Sequence, residues 1–188
     1  MSENGKRRIL LSRQQKNQKY LHTSLEMETS THLPMLMKTI GLTTGPVVEI
    51  GSGMFSTPFL HWLLFGSGRK LTTVEHYWHY ADFAKKFITP MHEVIEHDPK
   101  KAYQPEPGVH YGVVFIDHSP KKPRTRGDDA VLFKDCADFV VLHDAGPDGH
   151  KKYGYDNAYP HFKYRFDWNH VWPSTTVLSN FHDVTTWR

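Results

Sequence analysis

The stretch Val47-Val48-Glu49-Ile50-Gly51-Ser52-Gly53-Met54-Phe55-Ser56-Thr57 decides how this chain folds. Val47 to Ile50 has the short, β-branched make-up of a buried strand, and the glycines after it turn the chain into a helix. Turns of this kind usually cradle a phosphate at the helix N-terminus. Glu49, just ahead of the first glycine, works against that use. A buried carboxylate repels a phosphate and attracts a cation. The turn therefore suits the carboxylate and ammonium of an amino acid better than a pyrophosphate.

Outward from this turn, strand-like and helical segments alternate. Thr29-Ser30-Thr31-His32-Leu33-Pro34 starts a helix with Pro in its first turn, with Leu33, Leu36, Met37 and Ile40 on one face and Gly41 as its stop. Residues 57–65 form the helix after the glycine turn. Residues 71–74 are a second strand ending in Glu75, 78–87 a helix, and 93–96 a third strand ending near Asp98. Residues 109–116 are a fourth strand ending in Asp117, 124–134 a helix, and 139–142 a fifth strand ending in His143-Asp144. Residues 146–159 read as a loop, and 164–170 with 175–180 as a closing hairpin. The expected fold is α/β: a doubly wound, Rossmann-like, mostly parallel sheet with helices on both faces and an antiparallel C-terminal edge.

Composition sets the outer bounds. Hydrophobic residues at 38% and charged residues at 23% describe a globular chain rather than a disordered one. The apolar run around Phe59-Leu60-His61-Trp62-Leu63-Leu64-Phe65 is too short to span a bilayer, and Ile9-Leu10-Leu11 is no signal-peptide core. The single cysteine, Cys136, fits a small buried side chain in a reducing cytoplasm. Net charge is only +3, which by itself implies no nucleic acid. Residues 1–28 are expected to form a basic arm carrying Lys6, Arg7, Arg8, Arg13, Lys16 and Lys19 against Glu3, with one domain over 29–188.

The polar residues fall where ligands bind in open parallel sheets, at the C-terminal ends of the strands. Glu49 to Gly53, Glu75, Asp98, Asp117 and His143-Asp144 all lie there. Gly51-x-Gly53-x-x-Ser56 departs from the dinucleotide fingerprint, whose third position is Gly or Ala. Glu75 is placed to hold ribose hydroxyls, a feature shared by NAD and other adenosine cofactors. The N–H groups of the glycine turn and the Ser56 hydroxyl are expected to take a carboxylate, and Glu49 an ammonium.

These segments, VVEIGSG, then Thr73-Val74-Glu75, then Phe115-Ile116-Asp117-His118, then Val141-Leu142-His143-Asp144, resemble the class I S-adenosylmethionine-dependent methyltransferases over roughly residues 30–145. The resemblance implies a Rossmann-like sheet with a reversed final strand. It implies that Glu49, Gly51, Ser52, Gly53 and Ser56 line the methionine end and that Glu75 binds the ribose. His76 would flank the adenine and Asp98 would meet its amino group, while Asp117 and His118 border the cofactor and the transferred methyl. Read without the resemblance, Asp98 is a turn residue before Pro99.

Within that class, VVFIDHSPKK and VVLHDAGPDG are similar to metal-dependent small-molecule O-methyltransferases. The similarity implies Mg²⁺ held by Asp117 and Asp144, with Lys121 as base. The family's asparagine ligand is Ala145 here, and Pro120 stands in the usual lysine position. Without a metal, His118 or His143 is the expected general base. Tyr153, Tyr155 and Tyr159 form either an aromatic lid over the acceptor or packing for the hairpin.

His92-Glu93-Val94-Ile95-Glu96-His97 imitates a zinc motif, but its histidines are spaced for neither a helix face nor that motif. The place of an Asn-Pro-Pro-Tyr signature is taken by Asp117-His118-Ser119-Pro120, which argues against a nucleic-acid base as acceptor. The leading expectation is methyl transfer to a small molecule at oxygen. An NAD-dependent oxidoreductase, or a non-catalytic module binding cofactor or nucleic acid, are the alternatives. A Glu49 that faces away from the crevice would favour NAD.

Overall fold

The computed structural model describes residues 30–188. The basic arm expected over 1–28 lies outside the described residues. Val47–Ile50 is β1, Leu71–Glu75 is β2, His92–Glu96 is β3, Tyr111–Ile116 is β4 and Ala137–Leu142 is β5. β6 spans Tyr164–Trp168 and β7 spans Thr175–Ser179. The sheet order is β3-β2-β1-β4-β5-β7-β6. β1 to β5 pair in parallel, and β7 runs antiparallel to both β5 and β6. This is the expected parallel sheet with a reversed strand at its C-terminal edge.

The helices are α1 (Leu33–Gly41), α2 (Ser56–Leu64), α3 (Trp78–Ala84), α4 (Arg126–Leu132), α5 (Pro147–Tyr153) and α6 (Tyr155–Ala158). α1 and α2 pack on one face over Val47, Val113, Phe115 and Val141. The opposite face buries Val48, Val114, Val140 and Leu142 with Phe133 and Tyr155. Every residue of β1 and β4 is buried because both faces are covered, so these strands read as near-continuous apolar runs.

Several boundaries and faces differ from expectation. Met37 is exposed and Met35 takes its buried place on α1. The helix expected over 124–134 is shorter, because Thr125 caps it. Its hydroxyl accepts the Asp128 N–H while the Asp128 carboxylate accepts the Thr125 N–H, a capping box that sets the start at Arg126. The segment 146–159 is not a loop: α5 and α6 fill it, separated by Gly154 at φ 68°. No helix among the described residues is long and apolar enough to cross a membrane.

Candidate active site

A crevice of about 340 Å³ opens at the C-terminal ends of β1, β2, β4 and β5. Ser52, Gly53, Met54, Phe55 and Ser56 form one wall, and Glu75, Asp117, His118, His143 and Asp144 contribute most of its polar groups. His32 and Pro173 close the far end. Most of the residues singled out from sequence thus converge on one site. Glu49, Gly51, His76, Asp98 and Lys121 do not line it.

Gly51 sits at φ +96°, and a Cβ there would lie 2.6 Å from the His118 nitrogen. Only glycine permits the turn to press against the end of β4. The N–H groups of the turn are used inside the protein, contrary to expectation. Gly51 donates to the Val74 carbonyl, Ser52 to Glu75 and Gly53 to the Thr57 hydroxyl. Met54 and Phe55, at the positive end of α2, make no backbone N–H bond among the described residues and both line the crevice. They, rather than the glycines, offer N–H groups for a carboxylate.

Glu49 also departs from its expected place. It is fully buried because strand alternation puts it on the α1/α2 face with Val47, and it lies inside β1, before the strand end. Parallel register sets Thr73 level with it, and the Thr73 hydroxyl donates to its carboxylate at 2.7 Å. The Thr57 hydroxyl donates to it at 2.9 Å. Burial pushes its pKa up to about 7 despite hydroxyl bonds from Ser56, Thr73 and Thr57 that favour the charged form. Glu49 supports the turn from beneath through Thr57 and does not meet a ligand in the crevice.

Glu75, at the end of β2, is buried and reaches the crevice wall. It accepts the Ser52 N–H at 2.9 Å and hydroxyl at 3.0 Å through one oxygen, and the His76 and Tyr77 N–H groups through the other. His76 lies behind it in a small adjoining pocket with His97, Pro99, Tyr103 and His118. Burial lowers the His76 pKa, Glu75 opposing. The Asp98 carboxylate is exposed and caps a turn by accepting the Lys100 N–H.

Arg126 is the organising charge of the crevice floor, and the sequence reading did not single it out. It is 3% exposed. Its Nη1 lies 3.0 Å from Asp117 and 3.2 Å from Asp144, and donates to the His143 carbonyl at 3.2 Å. Its Nε donates to the His118 carbonyl, and its guanidinium stacks 3.8 Å above Tyr153. A signal existed: cations are disfavoured in the first turn of a helix, so an arginine there needs partners elsewhere. Mg²⁺ does not fit between Asp117 and Asp144, because the guanidinium already bridges them. Ala145, buried where a third oxygen ligand would stand, agrees.

His143 Nδ1 lies 3.2 Å from Asp117, and its Nε2 lies 3.0 Å from the Thr31 hydroxyl. The Thr31 proton is committed to the Pro173 carbonyl at 2.7 Å, so Thr31 accepts from Nε2. Both ring nitrogens therefore donate. Burial opposes that charge, but Asp117 and Asp144 outweigh it and raise the His143 pKa. Burial would raise the Asp117 pKa, yet His143 and Arg126 hold it well below the usual range. A histidine that donates from both nitrogens is not an available base, which corrects the expectation for His143.

His118 is arranged differently. Its Nε2 lies 2.8 Å from the buried Asp129 of α4, an ion-pair distance without hydrogen-bond alignment, and neither ring nitrogen has a hydrogen-bond partner among the described residues. Lys121, the other base expected, is exposed and outside the crevice lining. The tyrosines pack rather than form a lid. Tyr155 is fully buried and donates to the His143 carbonyl at 2.6 Å, Tyr153 bonds Asp144, and Arg165 of β6 stacks over Tyr159. Cys136 is only partly buried.

No family model matches the chain, and no curated protein matches it in sequence. Solved structures do match. A SAM-dependent methyltransferase from Aquifex aeolicus is 17% identical with a TM-score of 0.54, covering 87% of this chain and 95% of that one. The METTL16 methyltransferase domain is 10% identical with a TM-score of 0.54, covering 80% and 67%. The protein thus has the Rossmann-like fold found in S-adenosylmethionine-dependent methyltransferases.

Proposed function

We propose that the crevice binds S-adenosylmethionine and transfers its methyl group to a small-molecule acceptor, at oxygen. The observation that carries this reading is the charge of the lining. Glu75, Asp117 and Asp144 line the crevice, and among the described residues no lysine or arginine does, Arg126 lying buried behind Asp117 and Asp144. Such a wall repels the pyrophosphate of NAD and suits a cofactor whose charges are a sulfonium, an ammonium and one carboxylate. Glu49 facing away removes one argument against NAD, but the lining supplies a stronger one. The same lack of basic residues in the described lining disfavours a nucleic-acid backbone in the crevice.

In this reading the N–H groups of Met54 and Phe55 hold the methionine carboxylate, and Glu75 binds the ribose hydroxyls. His76 and the pocket beside it lie towards the adenine. The acceptor oxygen attacks the methyl carbon in line, the carbon–sulfur bond breaks with its electron pair passing to sulfur, and the acceptor proton moves to His118 Nδ1. The Asp129 carboxylate, 2.8 Å from Nε2, stabilises the imidazolium that forms. Asp117 and His143 orient the acceptor, with Arg126 holding Asp117 in place. A cytoplasmic setting suits the single thiol.

Calorimetric titration of the full chain with S-adenosylmethionine, S-adenosylhomocysteine and NAD tests the reading. Both adenosyl ligands are expected to bind and NAD is not. Asp117→Asn is expected to lower turnover by about 100-fold. Binding of NAD alone would overturn the assignment.

A further inference from the structure

His32 stands apart from the methyl-transfer reading. It precedes α1, is 2% exposed, and neither ring nitrogen has a hydrogen-bond partner among the described residues. A neutral imidazole carries a donor and an acceptor, and leaving both unsatisfied in the interior is costly. His32 also lines the crevice. Its ring packs on Phe115 at 4.8 Å between centroids and meets His143 edge-on at 4.6 Å. One ligand atom each from His32, Asp117 and His143 lies within 4.8 Å of the others.

The structure assigns these three residues to a divalent transition-metal site, distinct from the expected Mg²⁺ pair of Asp117 and Asp144. Two imidazoles and one carboxylate are borderline ligands, suited to Zn²⁺, Fe²⁺ or Co²⁺ and poorly suited to Mg²⁺, which prefers oxygen. The surrounding bonds turn the needed atoms towards one another. Thr31 engages His143 Nε2, so Nδ1 is the nitrogen that faces Asp117. Arg126 engages Asp117 Oδ1, so Oδ2 remains for the metal. Metal-bound histidines characteristically give their second nitrogen to such a partner, and ligating carboxylates are themselves hydrogen-bonded. Asp144 Oδ1, 3.7 Å from His143 Nδ1, adds negative charge beside the site. Binding displaces the proton that His143 shares with Asp117 and gives His32 the partner it lacks. The crevice side supplies the open coordination positions.

The test reads metal binding without cofactor or acceptor, so it stands apart from the methyltransferase assignment. Chelator-treated full-length protein is titrated with Zn²⁺ by calorimetry and with Co²⁺ by visible absorbance. One equivalent is expected to bind, with Co²⁺ ligand-field bands, and His32→Gln and His143→Gln are each expected to weaken binding at least tenfold. His32→Phe keeps the packing on Phe115 while removing both nitrogens, and gives the same loss if His32→Gln does not fold. Far-UV circular dichroism checks that each variant is folded. Failure of the wild type to bind one equivalent, equal affinity in folded His32 variants, or a metal lost in Asp144→Asn but kept in His32→Gln would each overturn the site.

Discussion

Glu49 and Asp117 come from adjacent strands and both follow apolar runs, yet the protein treats them in opposite ways. Asp117 lies beyond the last residue of β4, borders the crevice and meets Arg126 and His143. Glu49 lies inside β1 and meets only hydroxyl groups. The first is held ionised, while the second has its pKa pushed up to about 7 by burial. Hydroxyls can satisfy a carboxylate's lone pairs, but they do not supply the opposing charge that a dry environment demands. Two residues of strand position separate a group available to a ligand from a group committed to the scaffold.

The Glu49 side continues as a directional chain. Thr73 donates to Glu49, so its oxygen accepts from His92 Nε2 at 2.9 Å. His92 Nδ1 is then an acceptor, facing His61 Nδ1 at 3.1 Å. Burial, then the neighbouring His61, lowers the His92 pKa to about 4. This network contains no arginine or lysine, whereas the crevice floor is built around Arg126.

That contrast breaks most visibly at Arg126. Arg126→Met leaves Asp117 and Asp144 facing each other without their bridge, with an expected destabilisation of about 3–5 kcal/mol by urea unfolding. A loss below about 1 kcal/mol would show that the carboxylates need no guanidinium.

Glu49 gives the next largest effect, and it depends on pH. Its folded pKa lies above the ordinary value of 4.5, so its contribution to stability is complete below pH 4.5 and is lost as pH rises to about 7. The stability of the wild type minus that of Glu49→Gln should therefore fall by about 3 kcal/mol across this window, and stay level above it. A difference that rises with pH would mean that Glu49 is ionised and paired, like Asp117. Thr57→Val should cost about 1–2 kcal/mol, since it removes a donor to Glu49 and the acceptor of the Gly53 N–H. It should also move the Glu49 transition to higher pH. At the small end, Lys121→Ala should change stability by less than about 0.5 kcal/mol and Asp98→Asn should leave the urea midpoint unchanged, because both side chains are exposed. Turnover in Lys121→Ala should stay within about twofold of wild type, as steady-state assays would show.

Much of this was legible along the chain. The alternation of strands and helices, the reversed edge and the gathering of Glu75, Asp117, His118, His143 and Asp144 at one sheet edge follow from hydrophobic period and strand ends. The glycine turn was also legible, since Gly51 needs a positive φ where the chain presses on β4. The Thr125–Asp128 capping box was readable too, and would have placed Arg126 in a helix's first turn.

Sequence by itself determined the order of the strands and brought Glu75, Asp117, His118, His143 and Asp144 to the crevice edge, because strand periodicity and turn chemistry are local properties. Only the tertiary structure decided which charges meet. Arg126 reaches between Asp117 and Asp144 from a separate helix, and His32 arrives beside His143 from the start of the described chain. The partner that fixes a buried group's charge can lie anywhere in the sequence, and low dielectric makes that partner's identity decisive.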